Sequence, residues 1–368
     1  MTSSGSNESG SAGGLCRRAE KAFDILAGNE DALGLAVSGG SDSLALLMLA
    51  AGWARARGKR IAAATVDHGL RPEAADEARA VAAICRGLGV SHAILTWRRE
   101  GDGVVAQAEA RRARHVLLAE WAHGAGISAL ALGHTRDDRI ETFLMRARQG
   151  SGWHGLAGPL PSAPSPVWPE GRGLRLVRPL LALTREELKD ELRNRQVDWM
   201  SDPSNEAVRF ERVRMRGLTQ RMDGGALAKA VRVMDGLVQM RAAVAAEARA
   251  GLAGAATEAA EARIAVKTLA AMGAEARLRL VEALVLAAGG AEARPRREAL
   301  ERVVNALARG GVGLAGGVTL AGAWIRARHG QMVISGAPPR RGEAAGAGPA
   351  WDRAAALLGD PFPEALTV

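Results

Sequence analysis

Short apolar runs alternate with longer amphipathic segments between residues 32 and 148. The longer segments carry apolar residues at helical spacing, as in Leu44, Leu47 and Met48. The predicted strands are residues 33–37, 60–66, 92–97 and 128–132, and the predicted helices are residues 43–57, 72–88, 104–123 and 137–148. This order predicts an α/β fold with a doubly wound parallel sheet, in which ligands lie beyond the carboxyl ends of the strands.

The pattern changes after residue 150. A proline-rich segment at 159–169 predicts an exposed loop, and Thr184 with Glu187 three residues later predicts a capped helix start. Ala, Arg, Leu and Glu then recur at helical spacing to about residue 307, and residues 317–335 predict a β-hairpin with Gly330 at its turn. We therefore expect a disordered lead (1–14), a catalytic domain (15–217), a helical domain (218–310), a small C-terminal β segment (311–336) and a loose tail (337–368). The doubly wound sheet is thus followed by a helical domain and a small C-terminal α+β segment.

Composition adds a charge argument. The 368 residues carry 49 Lys and Arg against 40 Asp and Glu, a net charge of +9 that favours a polyanionic partner. Abundant Arg, Ala and Gly are also typical of a GC-rich genome, so charge alone leaves nucleic-acid binding open. The absence of Tyr disfavours a stacking platform for single strands, although eight Trp are present.

The two cysteines and the termini bear on location. Cys16 and Cys85 are far apart and form no Cys-x-x-Cys pair, which argues against a disulfide framework or a zinc knuckle. The first 14 residues lack the apolar run of a signal peptide, and no later segment stays apolar for the length of a membrane span. These features predict a cytoplasmic protein without a membrane partner, and they leave a homodimer open.

The candidate chemistry begins at a loop between the first predicted strand and helix. Its residues are Ser38, Gly39, Gly40, Ser41, Asp42 and Ser43. We expect both glycines to adopt backbone angles closed to other residues and to expose N–H groups to phosphate, with three hydroxyls adding donors. Asp42 would repel phosphate unless Mg²⁺ bridges the two. The alternative is an ordinary Gly-Ser turn before a helix.

The Ser38–Ser43 loop resembles that of the PP-loop ATP pyrophosphatase superfamily, whose members split ATP into AMP and pyrophosphate. Further segments resemble the tRNA(Ile)-lysidine synthetase family: residues 65–72 (TVDHGLRP), 133–138 (GHTRDD) with Glu141 and Thr142, 178–181 (RPLL) and 202–205 (DPSN). The resemblance implies ATP-dependent ligation of free L-lysine to C2 of the wobble cytidine in a CAU-anticodon tRNA(Ile). An adenylated cytidine would be the intermediate, and lysidine, AMP and pyrophosphate the products.

Within that motif, Asp138 and Glu141 are three residues apart and share one helix face, as a site for a lysine ammonium requires. Asp137 is expected to face the metal together with Asp42. A solvated acidic helix N-terminus is the alternative for this group.

The remaining site residues surround the nucleotide. Arg111 and Arg114, which match a basic segment of the family, are expected to balance charge at the α-phosphate during catalysis. His134 is expected to hydrogen-bond the nucleotide or to shuttle a proton, although a structural histidine remains the alternative. Asp67 and His68 follow the second strand and are expected on the nucleotide side.

Basic residues continue beyond the catalytic motifs, and we expect the helical domain to bind tRNA. The candidates for phosphate contact are Arg209, Arg212, Arg214 and Arg216, with a solvated basic face as the alternative. The sequence departs from the family at His115, where Tyr is usual, and at Gln149, where Arg is common.

Two other functions stay open. A base-thiolating PP-loop enzyme needs paired cysteines, which Cys16 and Cys85 do not supply. A non-catalytic RNA-binding relative would not need the carboxylates Asp42, Asp138 and Glu141.

Overall fold

The structure, a computed structural model, describes residues 8–69, 73–98, 106–200, 210–338 and 348–359. Side chains are described from Gly13, Ala74 and Arg214 onward in the segments that begin at residues 8, 73 and 210. The chain divides into two compact units, the first extending to Val238 and the second beginning at Gln239.

The first unit is built on a six-stranded sheet. Its strands are β1 (Ala32–Ala36), β2 (Arg60–Asp67), β3 (Ser91–Thr96), β4 (Ala129–Leu132), β5 (Ser162–Pro164) and β6 (Arg175–Val177). Their order is β3-β2-β1-β4-β6-β5, and all pairs are parallel except β5 with β6. The chain moves outward from β1 to β3 and returns to β4 on the other side of β1. The loops that follow β1 and β4 therefore flank the crevice where such sheets bind ligands.

Helices cover both faces of this sheet. They are α1 (Glu8–Ala27), α2 (Ser41–Arg57), α3 (Glu73–Gly87), α4 (Gln107–Gly124), α5 (Arg136–Arg148), α6 (Trp153–Leu156), α7 (Arg185–Asn194) and α8 (Phe210–Arg221). On one face, Leu33 and Leu35 of β1 pack with α1, α2, α3 and α7. On the other face, Ala36 of β1 packs with Leu118 and Ala122 of α4. The predicted doubly wound α/β sheet is confirmed.

Two expectations for this unit need correction. The lead was expected to be disordered to residue 14, yet α1 starts at Glu8, because buried Leu15, Ala19 and Phe23 hold the helix against the sheet. The proline-rich loop contains β5, which pairs antiparallel with β6 at the sheet edge. A proline fits there because an edge strand has one side free of ladder hydrogen bonds.

The second unit has an antiparallel sheet of five strands. These are β7 (Ala256–Thr257), β8 (Glu261–Ala265), β9 (Val318–Leu320), β10 (Ala323–Arg328) and β11 (Gln331–Gly336), in the order β7-β8-β11-β10-β9. The predicted hairpin is β10–β11, and His329 and Gly330 have φ of 49° and 71°, as a two-residue hairpin turn requires.

Helices surround this second sheet. They are α9 (Gly224–Ala253), which begins in the first unit, α10 (Val266–Ala271), α11 (Ala274–Gly289), α12 (Arg297–Ala308) and α13 (Trp351–Leu358). The segment 218–310 is therefore not wholly helical, since β7 and β8 belong to the sheet. The expected loose tail contains α13, whose Ala354 and Leu358 lie in the core. None of the helices in the described ranges is long and apolar enough to span a bilayer.

Candidate active site

The loop between β1 and α2 has one glycine that its backbone requires. Gly39 has φ of 86°, and its carbonyl accepts the Met200 N–H at 3.1 Å. Gly40 has φ of −73° and ψ of 160°, which any residue adopts, so the expectation of a special conformation is wrong for Gly40. As the N-cap of α2, Gly40 still leaves the first N–H groups of the helix without intrahelical partners, where an anion is stabilised.

The Ser43 hydroxyl holds this loop in shape. It accepts the Ser38 N–H at 3.1 Å, donates to the Gly40 carbonyl at 2.9 Å, and lies 3.2 Å from the Ser38 hydroxyl. Ser43 is buried, so its hydroxyl is used inside the loop. The Ser41 hydroxyl donates to Asp42 Oδ1 at 3.1 Å and thereby orients that carboxylate.

Helix α5 presents the acidic residues of the second motif through a capping box. The Thr135 hydroxyl accepts the Asp138 N–H at 3.3 Å, and Asp138 Oδ2 accepts the Thr135 N–H at 2.9 Å. Asp138 and Glu141 are 8% and 1% exposed. The capping box uses Asp138 Oδ2, and Oδ1 takes no part in it.

Helix α7 begins beside α5. The predicted capping box of Thr184 and Glu187 is present, with the Thr184 N–H donating to Glu187 Oε2 at 2.8 Å. The two helix starts are tied twice, because the Arg136 N–H donates to the Leu183 carbonyl and the Arg185 N–H donates to Asp137 Oδ2, each at 2.8 Å. Asp137 is therefore engaged with the backbone of α7.

The Arg185 guanidinium lies among the carboxylates. Nε is 3.0 Å from Asp42 Oδ2, Nη2 is 3.1 Å from Asp138 Oδ1, and Nη1 is 3.5 Å from Glu141 Oε1. Arg216 Nε lies 3.2 Å from the same Glu141 oxygen. Three carboxylates thus meet two guanidinium groups in this part of the described structure, and the Asp137 carboxylate adds a fourth at the Arg185 backbone N–H, which leaves a formal excess of negative charge. We name Asp42, Asp137, Asp138, Glu141 and Arg185 the acidic cluster.

Burial and charge oppose each other in this cluster. Burial lowers the pKa of Arg185, but Asp42 and Asp138 more than offset it, so the pKa of Arg185 lies above its usual value. Burial raises the pKa of Asp42, and Arg185 counteracts the rise. Arg185 therefore stays charged and limits the protonation of Asp42.

Arginines and histidines occupy the adjoining side of the site. Burial, then Arg178, lowers the pKa of His134 to about 4, with further lowering by Arg114 and Arg111 and an opposing effect of Asp138. The charges of Asp138 and of these arginines thus all act on His134. Burial also lowers the pKa of Arg178 to about 10, and its Nη1 donates to the Leu160 carbonyl at 2.7 Å. The buried atoms His134 Nδ1 and Arg178 Nε have no hydrogen-bond partner among the described residues.

Two predicted nucleotide-side residues follow β2. Asp67 Oδ1 accepts the Gly69 N–H at 2.9 Å, which turns the chain after the strand. His68 is half-buried against Trp97, with ring centroids 6.2 Å apart. Burial and the charge of Arg114 lower the pKa of His68, and Asp67 opposes this. Residues 70–72 of this motif and the 202–205 segment lie outside the described residues.

The structure divides the four arginines proposed to bind tRNA. Arg209 and the side chain of Arg212 lie outside the described residues. Arg214 is exposed on α8, whereas Arg216 on the same helix pairs with Glu141. Arg216 is therefore a neighbour of the acidic cluster.

Arg185 is the residue that sequence reasoning missed. The available signal was its position: it follows the Thr184 cap directly, at the first turn of a predicted helix, just after the RPLL segment. Its contact with Asp42 joins residues 143 positions apart.

The family comparison agrees with the fold of the first unit. A family model described as a PP-loop domain matches residues 16–222, so this part of the first unit is a PP-loop domain. A tRNA(Ile)-lysidine synthase from Hyphomonas neptunium is 55% identical over 186 residues, covering 50% of this chain and 50% of the relative. Another from Rhodopseudomonas palustris is 38% identical over 337 residues, covering 84% of this chain and 92% of the relative. The chain belongs to the tRNA(Ile)-lysidine synthase family.

The extent of these matches differs. The chain spans about half the length of the relatives from H. neptunium and Zymomonas mobilis, with 50% and 55% of each covered. Among solved structures, the U34-tRNA thiolase NcsA from Methanococcus maripaludis has a TM-score of 0.53 and 16% identity, covering 63% of this chain and 80% of that chain. That likeness shows the fold alone.

Proposed function

We propose that this protein ligates free L-lysine to C2 of the wobble cytidine of a CAU-anticodon tRNA(Ile), with conversion of ATP to AMP and pyrophosphate. The observation that carries the proposal is the contact of one guanidinium, Arg185, with both the PP-loop carboxylate Asp42 and the motif carboxylates Asp138 and Glu141. The family relationship supports the same reaction.

In the first step, the cytidine O2 attacks the α-phosphorus of ATP, and pyrophosphate leaves. The amides at the start of α2 bind phosphate oxygens, while Arg111 and Arg114 balance the charge that develops at the α-phosphate. Mg²⁺ prefers carboxylate oxygens and would be held by Asp42 with Asp137, whose Oδ2 atoms contact Arg185 and whose Oδ1 atoms do not. Bound there, Mg²⁺ would supply further positive charge to the phosphates.

In the second step, the lysine ε-nitrogen attacks C2, and AMP leaves with the former carbonyl oxygen. Asp138 and Glu141 hold the amine, which the negative excess of the acidic cluster favours. His134 has a pKa of about 4 and stays neutral near pH 7. Its ring nitrogen can therefore accept a hydrogen bond from the attacking amine, whereas a pKa this low makes the ring a weak acceptor of the amine proton.

The test is turnover with ATP, radiolabelled lysine and unmodified CAU-anticodon tRNA(Ile), with methionine tRNAs as controls. We expect label only in tRNA(Ile), together with stoichiometric AMP. Absence of labelled tRNA, or equal labelling of methionine tRNA, would contradict the proposal.

Asp42→Ala is expected to abolish AMP formation, and Asp138→Ala is expected mainly to raise the KM for lysine. The reverse pattern would mean that the two roles are exchanged.

Base thiolation is not favoured. Cys85 is fully buried, and burial raises the pKa of its thiol to about 11, whereas a sulfur-transfer thiol needs a lowered pKa. Burial and Glu191 also raise the pKa of the Cys16 thiol. A sulfur-transfer assay with the same tRNA is expected to give no product.

A further inference from the structure

Arg185 is the only residue of the described chain in ion-pair contact with all three of Asp42, Asp138 and Glu141. Asp42 belongs to α2, whereas Asp138 and Glu141 belong to α5. We propose that Arg185 is a positioning residue that holds the ATP-side and lysine-side carboxylates in one cluster, so that both steps of the reaction depend on it. This inference rests on the proposed function, because it assigns the two sides to the two substrates.

The fold fixes Arg185 from its backbone outward. Its N–H is bonded to Asp137 Oδ2, and the preceding Thr184 is locked in a capping box with Glu187. The side chain is 19% exposed. Its guanidinium presents N–H donors in a rigid planar fork, so that three nitrogens face three carboxylates at once. A lysine ammonium carries its three donors on one nitrogen and cannot span the same three partners.

Arg216 provides a contrast within the same site. It contacts Glu141 at 3.2 Å, and its side chain is 44% exposed. No ion pair with Asp42 is formed by Arg216 in the part of the chain that is described. Arg216 is therefore expected to act on the lysine side alone, whereas Arg185 acts on both sides.

The two steps can be measured separately. Pyrophosphate release from ATP and tRNA without lysine reports the first step. The KM for lysine in complete turnover reports how well the lysine side of the site holds its substrate. We expect Arg185→Gln to slow pyrophosphate release about 100-fold, as misplacement of reacting groups does, and to raise the lysine KM about tenfold. Arg216→Gln is expected to raise only the lysine KM. Arg185→Lys is expected to restore part of the first step, because it keeps the charge, without restoring the lysine KM.

The matched control is Arg193→Gln on the same helix. Arg193 is exposed and pairs with Glu186 and Asp190, so wild-type values are expected for both readouts. Thermal unfolding and ATP binding are measured for each variant to separate positioning from loss of fold. If Arg185→Gln does not fold, the test rests on Arg185→Lys. That variant is expected to keep part of the rate of pyrophosphate release but not the wild-type KM for lysine.

Three results would overturn the proposal. The first is a change in Arg185→Gln that is confined to one step, and the second is an equal effect of Arg185→Gln and Arg216→Gln. The third is full rescue of both readouts by Arg185→Lys. Failure of the proposed function looks different. In that case the wild-type protein itself shows no lysine-dependent product, whatever Arg185 does to pyrophosphate release.

Discussion

Arg139 and Asp235 form an ion pair at 2.8 Å, with their side chains 11% and 15% exposed. Arg139 follows Asp138 in α5, and Asp235 lies in α9. The pair therefore anchors the helix that carries the lysine-side carboxylates to a helix that follows the PP-loop domain in sequence. Arg139 Nε is buried without a hydrogen-bond partner in the described ranges, so Asp235 provides much of the compensation for this charge.

Asp235→Ala should destabilise the protein by about 2–3 kcal/mol, because it leaves the Arg139 charge buried and unpaired. The double variant Arg139→Met with Asp235→Leu should recover much of this loss, since it removes both charges. Urea titration measures the free energy of unfolding. Arg193→Gln, in an exposed ion-pair network, serves as the control with no measurable change. An unchanged unfolding free energy in Asp235→Ala would contradict the role of the pair.

Buried His115 is expected to make the protein less stable below neutral pH. His115 is 8% exposed, and burial followed by Arg114 lowers its pKa from 6.5 to about 3. The unfolded chain takes up a proton near pH 6.5 while the folded chain does not, so protonation favours unfolding. The stabilisation is complete above about pH 6.5 and is lost progressively as the pH falls towards 3.

His115→Gln should therefore flatten the dependence of the unfolding free energy on pH between 6.5 and 4. The measurement is a series of urea titrations across that range. His123 lies on the same helix but is exposed, and His123→Gln is the matched control, with the wild-type slope expected. If His115→Gln keeps the wild-type slope, the pKa shift of His115 does not contribute to stability.

Local patterns account for much of the fold. The predicted strands at 33–37, 60–66, 92–97 and 128–132 lie within about one residue of β1 to β4, because apolar run length and helical spacing are properties of adjacent residues. The strands β7 and β8 were missed. Residues 261–265 read EARIA, a composition that suits a helix, and pairing with the distant β11 and with β7 makes this segment a strand.

The candidate site shows the same limit. Asp42, Asp138 and Glu141 could be named from motifs, since each motif is a short stretch of sequence. Arg185 could not, because its partners lie 44 to 143 residues away and meet it only after the β1–β4 crossing brings α2, α5 and α7 together. Arg216 was assigned to RNA for a related reason, as its charge is visible in sequence but its contact with Glu141 is not.

Two arginines should separate RNA binding from catalysis. Arg214 is exposed on α8, and Arg214→Gln should weaken tRNA binding and reduce the slope of log K against log salt by about one.

Arg114 is half-buried beside His68 and His115, and Arg114→Gln should slow pyrophosphate release about 100-fold while tRNA affinity changes little.

Filter binding at several salt concentrations and single-turnover pyrophosphate release are the two measurements. Arg57→Gln is the control for both, since Arg57 pairs with Asp24 at the C-terminal end of α2, remote from the PP-loop at its start. An unaltered salt slope in Arg214→Gln would remove Arg214 from the RNA surface. Unaltered pyrophosphate release in Arg114→Gln would remove Arg114 from catalysis.

Gly133→Ala tests how closely the end of β4 must approach the PP-loop helix. A Cβ at residue 133 would lie 3.0 Å from the Asp42 carbonyl oxygen and 3.2 Å from Ser43 Cα, both backbone atoms of the first turn of α2. The helix start must shift to admit the methyl group, so we expect about tenfold weaker ATP binding and a loss of about 1–3 kcal/mol of stability. Isothermal titration with ATP and urea titration measure the two effects.

Gly152→Ala is the matched control, because its Cβ would meet no atom within 4 Å and its φ is −64°. If Gly133→Ala binds ATP as the control does, the approach of β4 to α2 does not set the geometry of the phosphate site.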